Sequence, residues 1–173
     1  GATHEVGIFQ MDESGLSEIG NPSEIFLEER SANVSGTSIY PSLEGTRPIL
    51  IEIQALVTNA NYNTAQRNVT GFNYKRLGML TAVLEKRIGL AMGTKDIFVN
   101  LVGGLKIDDP AADLSIICSI ASSLMDNYIK QNIVLCGEVG LAGEVRSINR
   151  LDYRLNESIL LGFVEAIVPY HSI

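Results

Sequence analysis

The chain has 173 residues, 46% hydrophobic and 19% charged, enough for one domain with a real core and too apolar for a disordered chain. Its net charge of −7 opposes non-specific attachment to nucleic acid by the domain as a whole, so a DNA-binding role requires a local basic patch or a ring assembly. No apolar run approaches the roughly 18–20 residues of a membrane span. The N-terminus has no secretory pattern and no initiator methionine, as expected of a fragment or processed product. Cys118 and Cys136 lie in apolar stretches, a setting for two buried thiols or for a disulfide. His4 and His171 stand far apart with no neighbouring ligands, so no metal site is expected.

In chain order, Glu5 to Met11 alternates as a strand, and a polar, turn-rich stretch follows, with Ser23 to Leu27 as a short helix after Pro22. Thr37 to Leu43 and Ile49 to Val57 read as a hairpin; Ile51, Ile53, Ala55 and Val57 share one face, Glu52 and Gln54 the other. Thr58 to Phe72, rich in Asn and Thr, reads as a long loop. Asn73 caps a helix to about Ile88, with Leu77, Leu80, Leu84 and Ile88 at helical spacing and Gly89 as its stop. Ile97 to Val102 is a strand broken by Gly103-Gly104. Asp109-Pro110 starts a helix reaching about Met125, apolar on more than one side. Ile133 to Cys136 is a buried strand. Gly137 to Gly143 turns into Glu144-Val145-Arg146. Asn149 caps a last helix with Leu151, Leu155 and Ile159 inward, and Val164 to Val168 ends the pattern.

Ala111 and Ala112 read as small residues in a packed first turn, and Asp152 as an acidic residue in the first turn of the last helix. Ser115 and Ser119, mid-helix, read as packed hydroxyls. Asp108, Asp109 and Asp113 lack the ordered spacing of a calcium loop. Lys106 follows a double glycine at a strand-to-helix corner. The candidate phosphate contacts are Arg67, Lys75, Arg76, Lys106, Arg146 and Arg150, with Lys86, Arg87 and Arg154 as further members if the fold gathers them.

Two segments carry a family resemblance. Gly103-Gly104-Leu105-Lys106-Ile107-Asp108-Asp109-Pro110-Ala111-Ala112-Asp113 resembles the nucleophile segment of the Lon protease catalytic domain, with Ala111 where that family has serine. Arg150-Leu151-Asp152-Tyr153-Arg154-Leu155 resembles its lysine segment, with Asp152 at the lysine position. A methyl group cannot attack a carbonyl, and a carboxylate poorly replaces the neutral amine that activates the serine. The resemblance therefore implies a catalytically dead domain.

More widely, Asn21 to Leu27, Ser42 to Pro48, Glu52 to Val57, Ala82 to Arg87, Gly103 to Asp113 and Gly137 to Arg146 resemble the C-terminal portion of the RadA/Sms family of bacterial DNA-repair proteins. That family joins a zinc finger, a RecA-like ATPase and a Lon-like domain. The resemblance implies an α/β fold, Lon protease proteolytic-domain-like and of the ribosomal protein S5 domain 2-like type, with mixed sheets packed with helices. It implies that residues 1–30 are a connector or tail of an upstream ATPase and 31–173 the Lon-like domain. It further implies a cytoplasmic, non-catalytic module that supports ring assembly and DNA binding for ATP-driven branch migration. Its implied partners are single-stranded or branched DNA, further copies of itself and a recombinase, with no membrane. The cofactors, ATP with magnesium and zinc, are expected only upstream and none in this fragment. The chain has neither a G-x-x-x-x-G-K-[ST] phosphate loop nor a four-cysteine zinc site. Two other readings stand beside this one: a purely structural oligomerisation domain without DNA contact, and a residual serine peptidase using Ser115.

Overall fold

The hairpin expected from Thr37 is the centre of the sheet. In the computed structural model, which describes residues 9–12, 15–18, 27, 31–61 and 64–172, two strands precede it. These are β1 (Phe9–Asp12) and β2 (Gly15–Glu18), paired antiparallel. Leu27 apart, the helix expected at Ser23 to Leu27 and most of the 1–30 connector lie outside the described residues. The hairpin itself is β3 (Thr37–Glu44) and β4 (Arg47–Asn59), in register from Thr37 opposite Gln54 to Glu44 opposite Arg47.

The remaining strands of the main sheet are β5 (Arg67–Thr70), β6 (Lys95–Leu101), β7 (Ile133–Leu135) and β10 (Glu165–Ile167); β8 (Glu138–Val139) and β9 (Val145–Arg146) form a separate antiparallel pair. The sheet order is β10-β7-β3-β4-β6-β5. β4 pairs antiparallel with β3 and β6, while β5, β7 and β10 are parallel additions at the two sides.

Strand alternation sends successive side chains to opposite sides of this sheet. On one side Tyr40, Ile51, Ile53, Ala55, Ile97 and Leu101 form the main core. Two helices close it: α1 (Tyr74–Val83) through Leu77 and Leu80, and α2 (Asp113–Met125) through Ile116, Ile117 and Ile120. On the other side Ile39, Leu50, Val134 and Phe163 form a smaller cluster, joined by Leu27 and by Leu155 of α3 (Leu151–Leu160). The order of elements therefore gives an α/β domain with a mixed sheet and helices on both faces.

Several local readings change. The loop expected over 58–72 is partly strand, because β4 continues to Asn59 and β5 adds to the sheet edge. Only Val69 and Arg67 of β5 are even half-buried, so no hydrophobic alternation announced it. The first helix is capped by Asn73 as expected, its Oδ1 accepting from the Arg76 amide at 3.0 Å. From Leu84 to Ile88 it becomes a π-turn, and the wider winding carries Ile88 off the buried face to 54% exposure. The second starts as a 3₁₀ turn, Pro110–Ala112. In the third, Ile159 points outward at 67% exposure, and Asn149 does not cap it. Glu52, expected on the polar face with Gln54, is buried and accepts from Gln54 Nε2 at 2.8 Å.

Gly36 lies at φ +90° against β4, and its carbonyl accepts from the Ala55 amide at 2.7 Å. A Cβ there would overlap the Ala55 carbonyl oxygen. Gly36→Ala is expected to destabilise the fold by about 1–3 kcal/mol or more. Gly78, inside α1 with open space where a Cβ would go, should respond oppositely, Gly78→Ala adding about 0.5–1 kcal/mol. Urea denaturation of both variants checks the pair of signs.

Candidate functional site

Ala111 sits in the 3₁₀ turn with 1% of its surface exposed. Asp109 caps the turn, its Oδ1 accepting from the Ala111 amide at 3.0 Å, and the Ala111 carbonyl accepts from the Gly137 amide at 2.9 Å. Asp152 lies in the first turn of α3 and is exposed. Of the two positions that the Lon resemblance places at the dyad, one is thus sealed in the core and the other faces solvent.

The space around this turn is organised by Arg154, which is fully buried. Its Nε donates to the Asn149 carbonyl at 3.0 Å, and its Nη1 to the Tyr40 hydroxyl and the Pro41 carbonyl, both at 2.9 Å. Its Nη2 donates to Asp109 Oδ2 at 2.9 Å and Asn149 Oδ1 at 2.8 Å. Tyr40 donates in turn to Asp109 at 3.3 Å. Arg154 therefore belongs to no surface basic area. Asn149 fails to cap α3 because its side chain is occupied here, and Arg150 takes the cap position at φ +55° with no side-chain cap bond.

The charges adjust to this burial. Desolvation pushes the Asp109 carboxyl up, but the Ala111 amide, the Arg154 guanidinium and the Tyr40 hydroxyl outweigh it and hold it below the usual range. Burial raises the Tyr40 phenol, against the pull of Arg154. The Cys136 thiol is pushed up to about 12 by burial, and Cys118 to about 11; both are free thiols.

A second pair flanks the same turn. Asp113, completely buried, accepts from Arg76 Nε at 2.6 Å, from Arg76 Nη2, and from the Val139 amide at 3.0 Å. Burial pushes the Asp113 carboxyl up, and those three donors work against it; the bond to Asp113 raises Arg76. Glu138 approaches Arg76 at 3.8 Å.

The six candidate phosphate contacts fare differently. Arg76 is committed to Asp113. The Arg67 guanidinium is turned onto backbone carbonyls, Nη1 to Gln66 and Lys95 and Nη2 to Met92 at 2.9 Å. Arg146 is exposed but lies 4.0 Å from Glu144 and pairs across the strands with Glu138. Arg150 stacks over the Tyr153 ring at 4.1 Å. Lys75 and Lys106 are exposed. Lys106, Ile107 and Asp108 form one wall of an open groove of about 290 Å³; Gly71, Phe72 and Asn73 form the other. The walls are joined by the Ile107 amide donating to the Gly71 carbonyl at 2.7 Å. Gly71, at φ +90°, allows the approach, since a Cβ would strike the Leu105 carbonyl. Asn73 leads directly into Tyr74, 61% exposed, and the exposed Lys75, while the groove lining itself carries one cation and one carboxylate, Lys106 and Asp108.

Ser115 and Ser119 are buried: Ser115 donates to the Leu135 carbonyl at 2.6 Å, and Ser119 shares a 2.7 Å bond with Ser38. Among the described residues no group of three or more His, Cys, Asp or Glu side chains could hold a metal ion, and no helix is long and apolar enough to cross a membrane.

Tyr40 and Tyr74 were not singled out from the sequence, and Arg154, expected as a further surface cation, is buried instead. Arg154 had a signal: Leu151, Arg154, Leu155 and Ser158 recur at helical spacing, which places the arginine on the inward stripe of α3.

These features define an α/β domain with an ion-paired, closed core turn and an open groove lined by Lys106 and Asp108. The chain matches no protein-family model. It is 50% identical over 169 residues to DNA repair protein RadA of Bacillus subtilis and 48% identical over 169 residues to the protein of that name from Halalkalibacterium halodurans. In each case 98% of this chain aligns with 37% of the relative. It is 46% identical to the Streptococcus pneumoniae protein over all 173 residues, 41% of that relative. Over nearly its whole length the chain is thus similar to part of DNA repair protein RadA, and it spans well under half the length of these curated relatives.

Arg154→Ala is expected to cost about 3–5 kcal/mol, because Asp109, Asn149 and Tyr40 lose a common partner inside the protein, with Arg154→Lys recovering only part of it. Because Asp109 is held low, its contribution is present above the unfolded value of about 3.9 and is lost as acid passes the lower folded value. The melting-temperature gap between the parent and Asp109→Asn should therefore narrow as pH falls below about 4.

Proposed function

We propose that residues 31–173 are a catalytically dead, Lon-protease-like domain of the ribosomal protein S5 domain 2-like type, which contacts DNA and supports ring assembly within a longer RadA-type protein. The relatives' printed name, DNA repair protein, supports the setting. In this reading residues 1–30 connect to an ATPase, and ATP with magnesium and zinc belong to the parts these 173 residues do not include. The longer protein drives branch migration beside a recombinase in the cytoplasm, and this domain holds single-stranded or branched DNA. The observation that carries the reading is the groove between 71–73 and 106–108, with Lys106 and Asp108 in its wall, and the exposed Tyr74 and Lys75 that follow Asn73 in the chain. Two ammonium groups supply phosphate contacts, and an exposed ring offers a base a surface to stack on. A ring would repeat those lysines around a channel and raise the local potential above that of an acidic subunit.

Arg67 and Arg76 carry less weight here, since their guanidinium groups are engaged within the domain. Arg146 and Arg150 stay as outer contributors. A purely structural ring module without DNA contact is the second reading, favoured by the net charge of −7.

Fluorescence anisotropy of labelled DNA across a salt series tests the choice. Lys75→Ala/Lys106→Ala should weaken single-strand binding and flatten the slope of log K against log salt by about 0.7 per lysine. No binding at low salt would leave the structural reading in place. For the lost protease chemistry, Ala111→Ser/Asp152→Lys should hydrolyse an unfolded protein no faster than the parent, because position 111 is sealed and position 152 faces solvent. Measurable turnover by that double variant would reject the closed-site argument.

A further inference from the structure

The side of the sheet that carries Leu50 is covered unevenly. Leu50 packs with Leu155 of α3 and with Leu27. Further along β4 on the same side, Leu56 is 57% exposed. It lies opposite Phe98 of β6, which lies beside Asn68 of β5; Asn100 lies beside Thr70. Asn68, Thr70 and Asn100 are exposed, and Phe98 is half-buried. These residues line an open hollow of about 390 Å³ without a charged side chain among its lining residues. Gln54 lines it too, but its amide already donates to Glu52. The hollow runs into the groove described above. Thr70 lines the hollow, and the next three residues, Gly71 to Asn73, line the groove. The Ile107 amide donates to the Gly71 carbonyl at 2.7 Å, which fixes the backbone next to Lys106 at that junction.

We propose that this hollow receives unpaired nucleobases of a single strand whose phosphates lie at Lys106. The inference rests on the DNA role proposed above and adds to it the part of the nucleic acid that this face reads. Three features select a base. First, a surface without charge gives a phosphate no counter-charge, whereas the base is the uncharged part of a nucleotide. Second, the lining matches what a base presents. Phe98 and Leu56 offer an apolar floor to its flat face, and stacking on an aromatic ring is open to every base. The Asn68 and Asn100 carboxamides each carry donors and an acceptor, so they can meet a base edge of either polarity. Third, the hollow and the groove meet across one peptide unit. That step of about 3.8 Å is comparable with the rise of about 3.4 Å per nucleotide along a strand. A duplex keeps its bases stacked inside, so it meets the groove but not the hollow. Bases splayed onto the open face of a sheet are a known mode of single-strand recognition.

The test is fluorescence anisotropy of the chain with two labelled strands of equal length, one of thymidines and one abasic. The parent should bind the thymidine strand at least about fivefold more tightly. The slopes of log K against log salt should be equal, because both strands carry the same phosphates. Asn100→Ala and Phe98→Leu, with melting temperatures recorded, should each reduce that preference and leave abasic affinity and the salt slope unchanged. Asn100 is exposed, so its variant keeps the test open if Phe98→Leu does not fold. Lys75→Ala/Lys106→Ala should weaken both strands alike. A parent that binds the two strands equally overturns the base site and leaves the DNA role standing. So does a preference for bases that the folded hollow variants retain in full, since it would lie on another surface. A parent that binds neither strand at low salt removes the DNA role itself, and the base site with it.

Discussion

One buried guanidinium joins the parts of this domain that sequence keeps far apart. Arg154 brings five hydrogen bonds to a place with no water contact, and its partners come from β3, the turn before α2 and the residues leading into α3. A cation in that position is tolerated only because each donor is met and Asp109 supplies a counter-charge. The arrangement fixes the direction in which α3 leaves the sheet. It also fixes the Asp109 carboxylate that caps the turn carrying Ala111.

The Arg76–Asp113 pair repeats this logic on the opposite side of the same turn. It ties the start of α1 to the start of α2, and the Val139 amide adds the β8 strand to the joint. The surroundings of the Ala111 turn are therefore a set of cross-links rather than an empty pocket. The joints also fix the two ends of the groove walls: Asp109 follows the wall formed by Lys106 to Asp108, and Arg76 follows Asn73, Tyr74 and Lys75. Rigidity gained at the core turn is thus passed to the lip where the exposed lysines stand.

How much of this was legible depends on whether a residue's role follows from its own neighbours in sequence. The central hairpin, the Asn73 cap and the Asp109-Pro110 start were readable because their signals are local. β5 was not, since an edge strand with one half-buried valine carries no periodic pattern. The fates of Arg67 and Arg76 were not readable from their own positions either, because what decides them is a partner 25 or 37 residues away; the stripe of α3 marked Arg154 as inward, but not its partner Asp109. Charge type alone marks an arginine as a phosphate candidate; only tertiary contact tells whether its donors are already engaged. Asn149 shows the same limit. Its side chain had two competing uses, and a fully buried guanidinium outbids a helix end that solvent can reach.

The result is a partition of surface chemistry on an acidic domain. Among the described residues Arg67, Arg76 and Arg154 are drawn inward or onto carbonyls and carboxylates, which removes them as freely available phosphate contacts. Lysine is the better residue to leave outside: its ammonium is strongly hydrated, its stem is flexible, and it loses more than arginine when buried in a planar, multi-bonded site. Positive potential then survives where lysines stand beside a groove, and neutrality survives where amides and threonines tile the sheet. The buried pairs settle which of these arginines are withdrawn from the surface, and the register of β4, β5 and β6 settles where the amides and threonines lie.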